Sequence, residues 1–360
     1  MFNSMENATI EDRSNNNKKN DFKAIAEYRD LSAKQFFDQV VPEQQPAVLR
    51  GFANSWPLVA AAKKSSNEFS AYLCRHYNGK KVTISAAPPS SEKSSGKRFF
   101  YNDDLTGFTF VSAQERLDLF LKRLIEVANQ KNGAALSMQS ALIEDILPGL
   151  IEDNSTDFFP NVKPRLWVGN EGIVDTHYDG SDNLACVLAG RRRFTLFGPE
   201  QTSNLYPGPL EFMPAGVPVS LVNLQQPDFE RYPRFKSALN SAYRVELAPG
   251  DALFIPMLWW HHVESLDKVN GLINYWWNGS FAQDATSPNF LDSMKIAILA
   301  MRDMTPKQRN AWRCLFDHYL FKQGVDPTSY IPKHQHHILG ELSPNYIEAV
   351  KDYFVNKLQK

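Results

Sequence analysis

Apolar and polar residues alternate with different periods in different parts of the chain. Residues 1–20 are polar, with Ser14-Asn15-Asn16-Asn17-Lys18-Lys19-Asn20 and no apolar rhythm, which predicts a disordered tail. A short helix is expected over 32–40 and an extended segment over 47–51. The run 88–97 is rich in Ser and Pro and reads as a mobile loop. Leu117, Phe120, Leu121, Leu124 and Ile125 recur at helical spacing and predict a helix over 113–128.

The rhythm changes in the middle of the chain. Residues 165–169, 183–189 and 192–197 read as strands, the last two joined by a tight turn at Gly190. Residues 204–242 carry many prolines and little periodicity, which predicts a long surface excursion of the kind that often carries function. Strands resume at 243–247, and a Pro249-Gly250-Asp251 turn feeds further strands at 252–256, 260–265 and 271–277. Many short strands with turns between them predict a barrel or sandwich. After Pro288 the pattern is helical. Thr305-Pro306-Lys307-Gln308 combines a cap, a proline at the first helical position and a glutamine three after the cap. That helix presents Trp312, Leu315, Phe316, Tyr319 and Leu320. Ser343-Pro344 opens another, with Tyr346, Ile347, Val350, Phe354 and Leu358 on one face. Those faces need a partner, either the β-unit or a second subunit. The expected division is a tail over 1–20, a β-domain over 21–286 and a helical annex over 287–360.

Composition narrows this picture in two ways. Aromatic residues make up 12% of the 360, which suits a strand-rich core and walled ligand clefts. Thirty-nine basic against 40 acidic side chains give a net charge of −1, so neither a duplex nucleic-acid coat nor a membrane-surface binder is expected. Three separated cysteines imply no disulfide framework, and no apolar run approaches the roughly 20 residues of a membrane helix. The start of the chain has no signal-peptide core, so a cytoplasmic location is expected.

The candidate chemistry is His177-Tyr178-Asp179 joined by a histidine of the His261-His262 pair. Two histidines and one carboxylate on one side of a metal leave three coordination positions open, as in non-haem Fe(II) oxygenases. Residues i and i+2 of a strand share a face, so His177 and Asp179 can chelate one ion. Spacing alone is weak, because eight histidines and 40 acids give about one chance His-x-Asp/Glu match, and the chain has a second at His262-Val263-Glu264. His261 and His262 point to opposite faces of a strand, so only one of them enters the site. His334-Gln335-His336-His337 lacks carboxylates and reads as surface. Trp259, Trp260 and Trp277 read as core.

The residues around these histidines carry a resemblance. Val174-Asp175-Thr176-His177-Tyr178-Asp179, the run Gly190 to Gln201, Pro227-Asp228-Phe229-Glu230-Arg231-Tyr232-Pro233, Pro249 to Pro256, Trp259 to Ser265 and Asn274-Tyr275-Trp276 together resemble the cupin-like JmjC family of 2-oxoglutarate oxygenases, which includes an asparaginyl hydroxylase. The similarity covers about residues 30 to 280. It implies a mainly β fold, a double-stranded β-helix (jelly-roll) barrel, with Fe(II) held by His177, Asp179 and His261. It places Asn183 and Asn274 near the metal-chelating end of 2-oxoglutarate and Trp276 on the site wall. A lysine that holds the distal carboxylate in that family is replaced here by Arg192, and an assisting tyrosine by Ser137. Arginine is a sound bidentate carboxylate partner with a different shape.

The reading that follows is an Fe(II)- and 2-oxoglutarate-dependent hydroxylase acting on a protein side chain, peptide or small molecule, with dimerisation through the C-terminal helices. The alternative is a cupin that binds metal without 2-oxoglutarate turnover, a ligand-binding or regulatory module in which Arg192 grips another anion.

Overall fold

The computed structural model describes residues 22–89, 97–214, 216–277 and 290–358. The expected N-terminal tail, most of the 88–97 loop and the boundary near 286 lie outside the described residues. Thirteen strands are described: β1 (Ala26–Tyr28), β2 (Ala47–Leu49), β3 (Lys81–Ala87), β4 (Val111–Arg116), β5 (Ala135–Leu142), β6 (Arg165–Gly169), β7 (Gly172–Tyr178), β8 (Asp182–Ala189), β9 (Arg192–Phe197), β10 (Tyr243–Leu247), β11 (Ala252–Ile255), β12 (Trp260–Ser265) and β13 (Asn270–Trp277). They form a nine-stranded sheet, β1-β2-β11-β8-β13-β6-β5-β3-β4, and a four-stranded sheet, β10-β9-β12-β7. The expected jelly-roll is therefore present as two sheets and not as a closed ring of strands. The chain changes sheets at corners such as 179–181, between β7 and β8, where no ladder bridges the two layers.

Burial explains the arrangement. Every residue of β8 is buried, because this central strand is covered on both faces. Leu184, Cys186 and Leu188 face an outer core shared with the helices Pro57–Lys64, Ser66–His76 and Leu117–Ala128. Ala185 and Val187 face inward, where they meet Phe194, Leu196, Val263, Leu253, Ile255 and Leu272 between the sheets. A third cluster seals the outside of the smaller sheet with Tyr178, Phe197 and Trp260 under Leu205, Phe235 and Leu239. The last three come from the 204–242 excursion, which contains the helix Phe235–Ser241. Trp259, Trp260 and Trp277 are all buried, as expected of core residues.

Local differences from the sequence expectations have identifiable causes. The helix expected from 113 begins at Leu117, where the apolar period begins, and Val111–Arg116 instead pairs with β3. Ser32 and Gln35 form a capping box, yet the turn it starts continues as a π-turn over Phe36–Val40. Gly190 makes the tight turn with φ 67, and a Cβ there would lie 2.4 Å from Asn270 Oδ1. The Thr305/Gln308 capping box opens the helix Pro306–Tyr319. No helix among the described residues is long and apolar enough to cross a membrane.

Candidate metal centre

Two strands and one corner bring the three donors together. His177 is at the end of β7, and Asp179 lies just past it. His261 on β12 pairs directly across from His177, and their rings are 4.2 Å apart. The donor atoms of His177, Asp179 and His261 lie within 4.8 Å of one another, and no other such cluster occurs among the described residues. His261 Nε2 is 3.7 Å from Asp179 Oδ2.

The histidines are prepared as ligands. His177 Nδ1 donates to the Asp175 carbonyl at 2.8 Å, and His261 Nδ1 donates to the Trp259 carbonyl at 3.0 Å. A carbonyl can only accept, so both rings carry their proton on Nδ1 and present an Nε2 lone pair. Burial, reinforced by His261 alongside, pushes the His177 pKa down to about 4, which keeps the ring neutral near pH 7. The Asp175 peptide that accepts from His177 is itself anchored, because its carboxylate makes a bidentate pair with Arg98 at 2.6 and 3.0 Å.

Asp179 is oriented by neighbours from the larger sheet. Its Oδ2 accepts from Asn183 Nδ2 at 3.1 Å and from Trp276 Nε1 at 3.2 Å. Asn183 Oδ1 accepts in turn from Asn274 Nδ2 at 2.6 Å. Trp276 is thus a hydrogen-bond donor to the Asp179 carboxylate as well as a wall. Outer-shell donors of this kind are worth about 10- to 100-fold in metal affinity. Trp276→Phe, which keeps the ring and loses the N–H, is expected to weaken Mn(II) binding by about ten-fold or more, read by calorimetry. An unchanged affinity would show that Asn183 alone orients the carboxylate.

All three donors open onto a cavity of about 520 Å³ between the sheets. Asn183, Asn274, Trp276 and Arg192 also line it. Ser137 does not: it sits on β5 between Ser85 and Gly169, while Gln139 and Ser140 from the same strand reach the cavity. They do so because β5 bulges there, with Ser140 at φ 53. His262 lies on the opposite face from His261. Burial, together with Arg98 and Arg244, pushes its pKa down to about 3, and neither ring nitrogen has a partner among the described residues.

Arg192 is the electrostatic anomaly. It is buried, its Nε makes no hydrogen bond, and no acid among the described residues pairs with it. Burial pushes its pKa down to about 10, so it remains a cation at neutral pH. The pairing register connects it to the triad. His261 faces Leu196, Val263 faces Phe194 and Ser265 faces Arg192, so these alternate pairs share the inward face. Four residues of strand separate Leu196 from Arg192, about 13 Å, and Val263 and Phe194 make the wall between them apolar. The cavity therefore has a head lined by the three candidate metal donors, an apolar middle and a buried cationic end. It suits a linear molecule with a chelating head, a short hydrocarbon middle and an anionic tail.

Sequence reasoning missed Arg165 and Trp167, which also line this cavity. The signal was available, since the two alternate along β6 with the buried Leu166 and Val168 and must share the other face. The contribution of Gln139 and Ser140 had no such signal, because it depends on the bulge.

Comparison with known proteins agrees with this architecture. A family model described as a cupin-like domain matches residues 33–283. Over 304 residues the chain is 27% identical to lysine-specific demethylase JMJ31 of Arabidopsis thaliana, covering 73% of this chain and 51% of that protein. It is 26% identical over 265 residues to lysine-specific demethylase 8 of Xenopus tropicalis, covering 71% and 53%. HSPB1-associated protein 1 of Homo sapiens is 39% identical over 142 residues, which are 35% of this chain and 28% of that protein. The matched regions thus span from about a quarter to about half of these relatives. With a cupin-like match over most of its length, and relatives of the JmjC type matched over more than two thirds of it, the chain belongs to the cupin-like, JmjC-type domain family.

Proposed function

We propose that the protein is an Fe(II)- and 2-oxoglutarate-dependent oxygenase that hydroxylates a small molecule or a peptide or protein side chain. The observation that carries this reading is the buried Arg192, without an acidic partner among the described residues, at the far end of an apolar track from the His177/Asp179/His261 triad. A buried cation without an acid is costly, so an anion at that point offsets the cost. The spacing suits a five-carbon dicarboxylate whose 2-oxo acid end lies at the triad. His177, Asp179 and His261 would hold the metal on one side and leave positions open. Arg192 would hold the distal carboxylate, Val263 and Phe194 would pack its methylenes, and Asn183 and Asn274 would sit beside the chelating end.

Iron held by these three residues would supply O2 activation, the chemistry that couples conversion of 2-oxoglutarate to succinate and CO2 with hydroxylation of a substrate C–H bond. The chain's own residues orient the reactants and keep the cavity walled. The test is succinate formation by purified protein with Fe(II), 2-oxoglutarate and O2, alongside direct measurement of cosubstrate binding. Tight metal binding with neither turnover nor cosubstrate binding would sink the reading.

The working unit in this proposal is a homodimer joined by the C-terminal helices. Trp312, Leu315 and Tyr319 lie on one face of the helix Pro306–Tyr319 and are each more than 40% exposed, as are Leu320 and Phe321 after it. Water-exposed apolar area of this extent favours a partner surface. Sedimentation equilibrium of the full chain is expected to give a dimer, and the double variant Trp312→Glu, Leu315→Glu a monomer. A wild-type monomer at micromolar concentration would refute it.

A further inference from the structure

A second unbalanced cation lines the same cavity. Arg165 occupies the inward face of β6, directly across from Asn274 on β13. Its Nη1 donates to the carbonyl and hydroxyl of Ser140 at 3.0 and 3.3 Å, and its guanidinium carbon lies 5.8 Å from the centre of the Trp276 ring. No acid pairs with it among the described residues, and its Nε–Nη2 edge makes no hydrogen bond there. Asp179 is the one acidic side chain among the described residues lining the cavity, and it belongs to the triad. Two arginines against one aspartate leave the space positive, and a divalent cation would increase the bias.

The two arginines occupy different ends. Arg192 terminates the track that leaves His261 along the smaller sheet, whereas Arg165 stands in the larger sheet beside the Trp276 indole that donates to Asp179. A linear cosubstrate lying along the first track leaves Arg165 unanswered. We propose that Arg165 selects a primary substrate bearing a carboxylate, which its free edge binds in bidentate fashion next to the metal. This rests on the oxygenase reading above and adds the substrate class. Pinning the left-handed Ser140 occupies Nη1, and the fork geometry of arginine leaves the other edge matched to a carboxylate.

The experiment uses the full chain, anaerobic, with Mn(II) and saturating 2-oxoglutarate. Probes are aspartate and glutamate blocked at both backbone ends, the matching asparagine and glutamine, and free aspartate. Binding is read from paramagnetic broadening of probe resonances, which reports proximity to the metal without turnover. The blocked acids are expected to bind at least about ten-fold more tightly than their amides. Arg165→Gln is expected to erase that difference while leaving 2-oxoglutarate affinity within about two-fold, and Arg165→Lys to retain part of the preference because it keeps the charge. Equal binding of acid and amide overturns the proposal. So does absence of any acid binding to protein that holds 2-oxoglutarate, or loss of 2-oxoglutarate affinity in Arg165→Gln. Failure of the wild-type protein to bind 2-oxoglutarate removes the oxygenase reading beneath it. Between the supporting results, tighter binding of blocked than free aspartate assigns a peptide, and the reverse a metabolite.

Discussion

Replacing His177 with alanine is expected to lower divalent-metal affinity by at least about 100-fold, the upper end of what losing only an outer-shell partner costs. The triad has three protein donors, and the other two come from a different strand and a corner, so no neighbour can substitute. Donors elsewhere do not compensate either, because no second cluster of side chains that could hold a metal occurs among the described residues. The fold should survive, since His177 is only half-buried and its accessible surface faces the cavity, while the β7–β12 ladder is held by backbone. Anaerobic calorimetry with Mn(II) and Fe(II), with circular dichroism as the folding control, checks the effect. A folded His177→Ala protein that binds metal like wild type would place the metal elsewhere. The neighbouring His262→Ala change removes no ligand, because that ring lies on the other face of β12.

The second large effect concerns Arg192, and its two readouts have opposite signs. Hydrogen bonds to charged groups are worth about 1.5–3 kcal/mol, so Arg192→Gln is expected to weaken 2-oxoglutarate binding by about 10- to 150-fold. Without ligand the same change should raise stability, because it removes a buried cation that no acid among the described residues balances. The thermal midpoint of the ligand-free variant is therefore expected above wild type, and the upward shift on adding 2-oxoglutarate should largely vanish. Metal affinity should stay unchanged, since Arg192 lies four residues of strand beyond the position facing His261. A variant that loses stability while keeping cosubstrate affinity would mean that Arg192 is a structural cation. The two outcomes can be told apart in a single melting series.

Much of the site was legible because its parts are local in sequence. His177 and Asp179 are two apart, and the alternation rule already separates His261 from His262. The inward orientation of Arg192 follows the same rule, since Arg193 next to it pairs outward with Glu246 and Glu264. The central strands were readable from their apolar runs, and the capping signals at Ser32 and Thr305 appear where the residues place them. The early strands β3 to β5 were not legible. Val111–Arg116 is polar and exposed, and it is a strand only because β3 offers it an edge.

What the residue order determines by itself is periodicity: which side chains share a face, where a turn or cap must fall, and which donors can chelate together. That was enough for the strand core around the histidines, for His177 and Asp179 on one face and for the C-terminal apolar faces, whereas the choice of His261 over His262 came from the family resemblance. Only the tertiary structure decided what stands opposite each face. It set Asn183, Asn274 and Trp276 as a hydrogen-bonded support for Asp179, brought the bulged Gln139 and Ser140 to the cavity instead of Ser137, and left Arg165 and Arg192 without acids among the described residues. The physical reason is that strand pairing and sheet packing join residues tens to more than a hundred positions apart. Whether a buried charge is balanced depends on those distant neighbours, which no local pattern contains.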